Sequence, residues 1–62
     1  MKNTVHAIIN QTIRESIDQY YSKRDADSFF RLVDLLEDCK SNNLTKEDIP
    51  TLIELQNVIV MG

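Results

Sequence analysis

The sequence predicts an all-α protein with three helices: an antiparallel helical hairpin followed by a third, C-terminal helix. Apolar residues recur at helical spacing in three separate segments of the chain. Capping and turn residues separate these segments, with Asp25 before the second and 41–43 after it. With 62 residues the chain forms one small domain, 1–62.

The first helix is predicted at about 4–22, with Asn3 or Thr4 as its cap. Every fourth residue along it is apolar, namely Val5, Ile9, Ile13, Ile17 and Tyr21. A strict spacing of four drifts by about 40° per step around a helix. The apolar stripe therefore winds around the helix, which suits a partner helix that crosses it.

The second helix is predicted at 26–40, with Asp25 as its N-cap. Its apolar positions cover roughly 220° of the circumference, about twice the apolar arc of an ordinary surface helix. The polar remainder is a narrow strip of Asp27, Arg31, Asp34 and Asp38. The connection 22–24 is short, so the first two helices are expected to form an antiparallel hairpin.

The third helix is predicted at about 49–61. Asp48 is its expected cap, after a short turn at 45–47, and Pro50 lies in the first turn, where its missing N–H costs little. Three β-branched residues in a row leave a short strand at 58–61 as an alternative. In either conformation this apolar end is expected to be buried, in a partner if not in its own subunit.

A chain this short buries only about 60% of its unfolded surface and needs further stabilisation. Cys39 is the only cysteine, which excludes a disulfide within one chain. Self-association is the remaining common route, so we expect a homo-oligomer, with a dimer as the first expectation. The apolar residues expected at that interface are Phe29, Phe30, Leu35, Leu36, Ile59 and Val60.

Charge and composition exclude several function classes. The formal net charge of −3 argues against binding to a nucleic-acid backbone. No apolar run reaches the roughly 18 residues of a membrane-spanning helix, and no secretory signal pattern opens the chain. A lone thiol fits the reducing cytoplasm.

The residues for catalysis are scarce. His6 has Asn10 as its helical neighbour, which is neither a nucleophile nor a carboxylate, and an ordinary surface residue is the simpler interpretation. Cys39 lies beside Glu37 and Asp38, whose charges oppose thiolate formation, so a buried apolar role is expected. We expect a non-enzymatic protein with no cofactor and no metal.

Tyr20, Asp34, Glu37 and Asp38 are the candidate partner-binding residues. The three carboxylates form an exposed acidic cluster that can meet a basic surface on a larger protein, or can simply be a solvated face. Tyr21 continues the apolar stripe of the first helix. Tyr20 is not part of the four-residue spacing of that stripe and can anchor an interface together with Phe30.

Within residues 13–36, the chain resembles the IDEAL domain, a short helical hairpin of small proteins from Gram-positive bacteria. Ile17 and Asp18 on the first helix, and Asp25, Phe29 and Leu32 on the second, carry the resemblance. The same arrangement also looks like one tetratricopeptide-type hairpin. The resemblance implies a small bacterial or phage interaction module and brings no catalytic residues.

Three functional hypotheses follow. The leading one is a regulator or inhibitor that binds a larger protein and occludes a site. Small phage-encoded inhibitors of host defence systems share this size and build, so by analogy of class such an inhibitor is one form of this hypothesis. The alternative is a dimeric helix-turn-helix transcriptional regulator, although its recognition helix would contain no lysine or arginine between Thr51 and Met61. The third is a structural assembly subunit.

Overall fold

The computed structural model describes the backbone of residues 2–61 and the side chains of residues 4–61. Three α-helices make up the fold: α1 (Lys2–Lys23), α2 (Ala26–Ser41) and α3 (Thr51–Met61). No strand occurs within residues 2–61, and each helix packs against both of the others. The all-helical, three-helix prediction is therefore confirmed, and 58–61 is helical.

The first helix is longer than predicted at both ends. It begins at Lys2 rather than at about residue 4, so neither Asn3 nor Thr4 is its cap. No proline or glycine interrupts the chain before Thr4, and local propensity alone does not define a helix end to better than one or two residues. At the other end, the Arg24 N–H donates to the Tyr20 carbonyl oxygen at 2.7 Å and closes the last turn.

Local capping signals define both ends of α2. The Asp25 carboxylate accepts a hydrogen bond from the Ser28 N–H at 3.0 Å, as predicted for the N-cap. Hydrogen bonds from the side chain and the backbone of Ser28 to the Asp25 carboxylate lower the pKa of Asp25. At the C-terminus, the Leu44 N–H reaches the Cys39 carbonyl at 2.9 Å, and Asn43 adopts a left-handed φ of 59°. These are the features of a Schellman motif, in which asparagine substitutes for the usual glycine.

The start of α3 differs from the prediction. Asp48 is not its cap, because the Asp48 side chain turns back to accept a hydrogen bond from the Thr45 hydroxyl at 3.4 Å. Residues 45–48 form a turn of their own, and α3 begins at Thr51 rather than at about Ile49. Pro50 lies just before the helix, so its missing N–H removes no helical hydrogen bond.

The cap of α3 comes from another helix. Asn10 of α1 accepts two hydrogen bonds through its Oδ1 atom, from the Thr51 N–H at 3.2 Å and from the Thr51 hydroxyl at 2.7 Å. One amide side chain therefore satisfies the first free N–H of α3 and a buried threonine hydroxyl. It also ties the start of α3 to the middle of α1.

Apolar side chains from all three helices and from the connection before α3 meet in one core. The buried members are Ile13, Ile17, Leu32, Cys39, Ile49, Leu52, Leu55 and Val58. Small polar residues lie at the helix contacts, where Ser16 and Ser28 are also buried. Within the described side chains, no buried nitrogen or oxygen atom lacks a hydrogen-bond partner.

The predicted apolar stripe of α1 is buried only in its middle. Ile13 and Ile17 are in the core, but Val5 and Tyr21 at the two ends are more than half exposed. The winding of a four-residue stripe explains this, because its ends rotate away from the helices packed against its centre. Tyr20, rather than Tyr21, packs against the core.

The C-terminal end of α3 is only partly covered within its own subunit. Val58 is buried, whereas Val60 and Met61 are 78% and 86% exposed. No helix within the described residues has both the length and the apolar character needed to cross a bilayer.

We predict that Asn10→Ala lowers the free energy of unfolding by about 1–2 kcal/mol, because it removes a helix cap and leaves a buried hydroxyl without its acceptor. Urea unfolding followed by circular dichroism measures the effect. Asn10→Asp keeps an acceptor at the same place and should retain most of the stability.

Gln11→Ala is the matched control. The Gln11 amide bonds only to Glu15 on the exposed side of the same helix, so its loss should cost less than about 0.5 kcal/mol. Equal effects of the alanine substitutions at positions 10 and 11 would contradict the assignment of Asn10 as the cap of α3.

Candidate functional site

Two surface clefts contain three of the four candidate partner-binding residues, Tyr20, Asp34 and Asp38. The first, which we name the acidic groove, runs along α2 and has a volume of about 390 Å³. Its lining residues are Asp27, Phe30, Arg31, Asp34, Leu35 and Asp38. All of them belong to α2. Positions 27, 31, 34 and 38 follow the three- and four-residue spacing that brings side chains to one face of a helix.

Phe30 is the unusual member of the acidic groove. Its ring is 61% exposed, although phenylalanine is normally a core residue. Charged side chains surround it, and no side-chain hydrogen bond within residues 4–61 uses the carboxylates of Asp27, Asp34 or Asp38. The groove therefore offers an apolar centre and several free acceptors to an incoming group.

The second cleft, which we name the tyrosine cleft, lies between α1 and α3 and has a volume of about 290 Å³. Both helices and the residue that follows α1 contribute to it. Its lining residues are Tyr20, Tyr21, Arg24, Glu54, Asn57, Val58 and Met61. The hydrogen bonds between Asn10 and Thr51 hold α3 alongside α1 and so bring these residues together.

Aromatic contacts organise one wall of the tyrosine cleft. The Tyr20 ring lies 5.9 Å from the Tyr21 ring and 5.7 Å from the Phe29 ring, in tilted arrangements that aromatic pairs favour. The Arg24 guanidinium carbon lies 6.0 Å from the Tyr20 ring centroid and 5.7 Å from that of Tyr21. Both distances fall within the range of a cation–π contact.

Arg24 holds this position with an unfavourable backbone. Its φ is 54°, in the left-handed region that favours glycine and asparagine. The α1–α2 connection contains only Arg24 and Asp25, and Arg24 is the one of the two with a positive φ. The backbone conformation directs the arginine side chain back over the end of α1, where the two tyrosines lie.

The predicted partner-binding residues do not form one site. Asp34 and Asp38 lie together in the acidic groove, whereas Tyr20 lines the tyrosine cleft. Glu37 is exposed on α2 but does not line either cleft. The sequence therefore identified parts of two separate surfaces.

Most of the residues expected at a self-association interface contribute to the packing of their own subunit. Leu35, Leu36 and Ile59 are half-buried and pack against the core, and Phe29 is half-buried against Tyr20. Phe30 and Val60 remain exposed.

The single thiol and the single imidazole do not form a reactive pair. Burial, with a smaller contribution from the charge of Asp38, raises the pKa of the Cys39 thiol. His6 is half-buried near the start of α1. Within the described residues, no three His, Cys, Asp or Glu side chains are grouped as a metal site would require.

Comparison of the chain with family models, with curated proteins and with solved structures gives no match. The resemblance of residues 13–36 to the IDEAL domain therefore stays a prediction.

Sequence reasoning missed Arg24, Asn57 and Met61 as neighbours of the tyrosines. One local signal for Arg24 was present: the connection predicted at 22–24 is short and contains no glycine, so another residue has to supply any left-handed turn there. For Asn57 and Met61 no local signal exists, because their position depends on where α3 packs.

We predict that Arg24→Gly is more stable than Arg24→Ala by about 1 kcal/mol, because both lose the guanidinium but only glycine relieves the positive φ. Urea titration of the two variants measures the difference. If the alanine variant is as stable as the glycine variant, residue 24 is not held in the left-handed conformation.

Proposed function

We propose that the protein is a non-enzymatic protein-interaction module that regulates or inhibits a larger protein by binding to it and occluding a site. The observation that carries this proposal is Phe30, an exposed aromatic ring in a groove lined by carboxylates. Partly exposed aromatic residues with a polar surround are typical anchors of protein interfaces.

The charge of the groove specifies the kind of surface that it fits. Three carboxylates and one guanidinium line it, which leaves an excess of negative charge. The whole chain has a formal charge of −3, so long-range attraction acts in the same direction. A basic patch with an apolar centre is the complementary surface on the partner.

The chemistry available within residues 4–61 supports binding rather than catalysis. The Cys39 thiol is buried with a raised pKa, which is the opposite of an activated nucleophile. The polar and aromatic groups that line the two clefts are carboxylates, aromatic rings, two arginines and an amide, without a nucleophile paired to a base.

The proposal includes self-association, with a homodimer as the simplest form. Large apolar side chains within residues 4–61 remain more than half exposed on all three helices. Ile53 and Val60 of α3 are among the exposed apolar residues that a second copy would cover.

The arrangement of the first two helices is also proposed. We propose that α1 and α2 form an antiparallel hairpin, since the Tyr20 ring near the end of α1 contacts the Phe29 ring in the first turn of α2. We also propose that this hairpin is of the IDEAL type and that the protein comes from a bacterium or a phage. We place it in the cytoplasm, and the lone thiol supports that location.

The DNA-binding alternative has less support. The connection between α2 and α3 spans residues 42–50 and contains a turn of its own, whereas a helix-turn-helix joins its helices through three or four residues. Residues 51–61 also contain no lysine or arginine that could contact phosphate.

We predict that the double variant Asp34→Asn, Asp38→Asn binds its partner at least tenfold more weakly, with unfolding unchanged, because both carboxylates are exposed and serve only the groove. Quantitative affinity capture from host cells identifies proteins that bind the wild type but not Phe30→Ala. Titration of the identified partner then measures the affinities.

Asp18→Asn on α1 is the matched control, because it removes an exposed carboxylate outside the acidic groove. It should capture the same proteins as the wild type. Capture that is equally strong with the double variant would remove the groove from the binding site.

A further inference from the structure

We propose that the tyrosine cleft is a second docking site, which binds an acidic peptide segment of a partner protein. A carboxylate of that segment pairs with Arg24, and a neighbouring aliphatic or aromatic side chain lies between Tyr21 and Met61. This site lies on α1, on α3 and on Arg24 after α1, so it is separate from the acidic groove of α2. Arg24 is the group in its lining that can pair with an anion.

The Arg24 guanidinium supplies the charge for this contact. Its position over the two tyrosine rings is held by cation–π contacts and by the backbone turn at residue 24. No side-chain hydrogen bond within residues 4–61 uses its N–H groups. A guanidinium fork that is held in place and has free donors matches a carboxylate in a bidentate pair.

The surroundings of Arg24 favour a single negative charge. Glu54 lines the same cleft, and the chain as a whole has a formal charge of −3. A doubly charged phosphate would meet more repulsion than a carboxylate at this place. Asn57, on the same wall as Glu54, adds an amide that can donate to a peptide carbonyl.

The remaining walls specify an apolar neighbour for the carboxylate. Tyr21 and Met61 are 52% and 86% exposed, and Val58 forms a buried floor between them. Methionine adapts its shape to different apolar groups and contacts aromatic rings favourably. At about 290 Å³ the cleft has room for one or two side chains and is small for a larger ligand.

The protein contains its own reporter for this site. Its only two tyrosines line the cleft, and it has no tryptophan. Intrinsic tyrosine fluorescence therefore reports on the cleft and not on the acidic groove.

The test is a fluorescence titration with the peptide acetyl-Ser-Gln-Leu-Asp-Phe-Ser-amide, which carries one carboxylate, against the same peptide with Asn in place of Asp. We expect the acidic peptide to bind at least tenfold more tightly at low salt, with the difference shrinking as salt is added. Arg24→Gly should reduce binding of the acidic peptide to the level of the neutral one. Glycine is chosen because it accepts the positive φ of this position.

Two controls separate this site from the rest of the protein. Arg31→Ala removes a guanidinium from the acidic groove and should leave the titration unchanged. The double variant Asp34→Asn, Asp38→Asn should also leave the titration unchanged. Loss of the acidic groove therefore affects partner capture alone, whereas loss of the tyrosine cleft affects peptide binding. Equal binding of the acidic and neutral peptides, full binding by Arg24→Gly, or no binding of either peptide would overturn the proposal.

Discussion

The amount of apolar surface that one short chain can cover is the constraint on which the rest of the structure depends. Three helices pack around a core that takes only part of their apolar residues. Others are half-buried against this core. Within residues 4–61, the large apolar residues that stay more than half exposed are distributed over all three helices: Val5, Ile8, Tyr21, Phe30, Ile53, Val60 and Met61. A small domain has too little interior to bury them, so they become surfaces available for contact with other molecules.

One long-range contact contributes to how these surfaces are arranged. Asn10 caps α3 from α1, across 41 positions of sequence, and adds to the core packing that places α3 beside α1. The end of α3 then reaches the tyrosines at the end of α1, and a cleft forms between them. Arg24 completes the cleft at the expense of a left-handed backbone, which is the kind of local strain that often accompanies a functional surface.

The features that were predictable from the sequence are those encoded locally. The Asp25 cap and the turn after α2 depend on residues within a few positions of each other, and both were found where the sequence indicated. The Asn10 cap was not predictable, because its partner Thr51 is distant in sequence. The roles of Tyr20 and Tyr21 were exchanged for a similar reason: adjacent residues differ by about 100° on a helix, and the packing of the other two helices decides which one faces the core. For the candidate sites, the acidic strip of α2 was predictable from spacing, whereas the tyrosine cleft joins two helices and was not.

Sedimentation equilibrium over a range of micromolar concentrations tests the central claim most directly, because uncovered apolar surface in a chain of this size should drive self-association. The account predicts a reversible dimer that dissociates on dilution and that Val60→Asp weakens. Residue 60 is 78% exposed, so the substitution does not disturb the core. A stable, fully folded monomer at every concentration would contradict it.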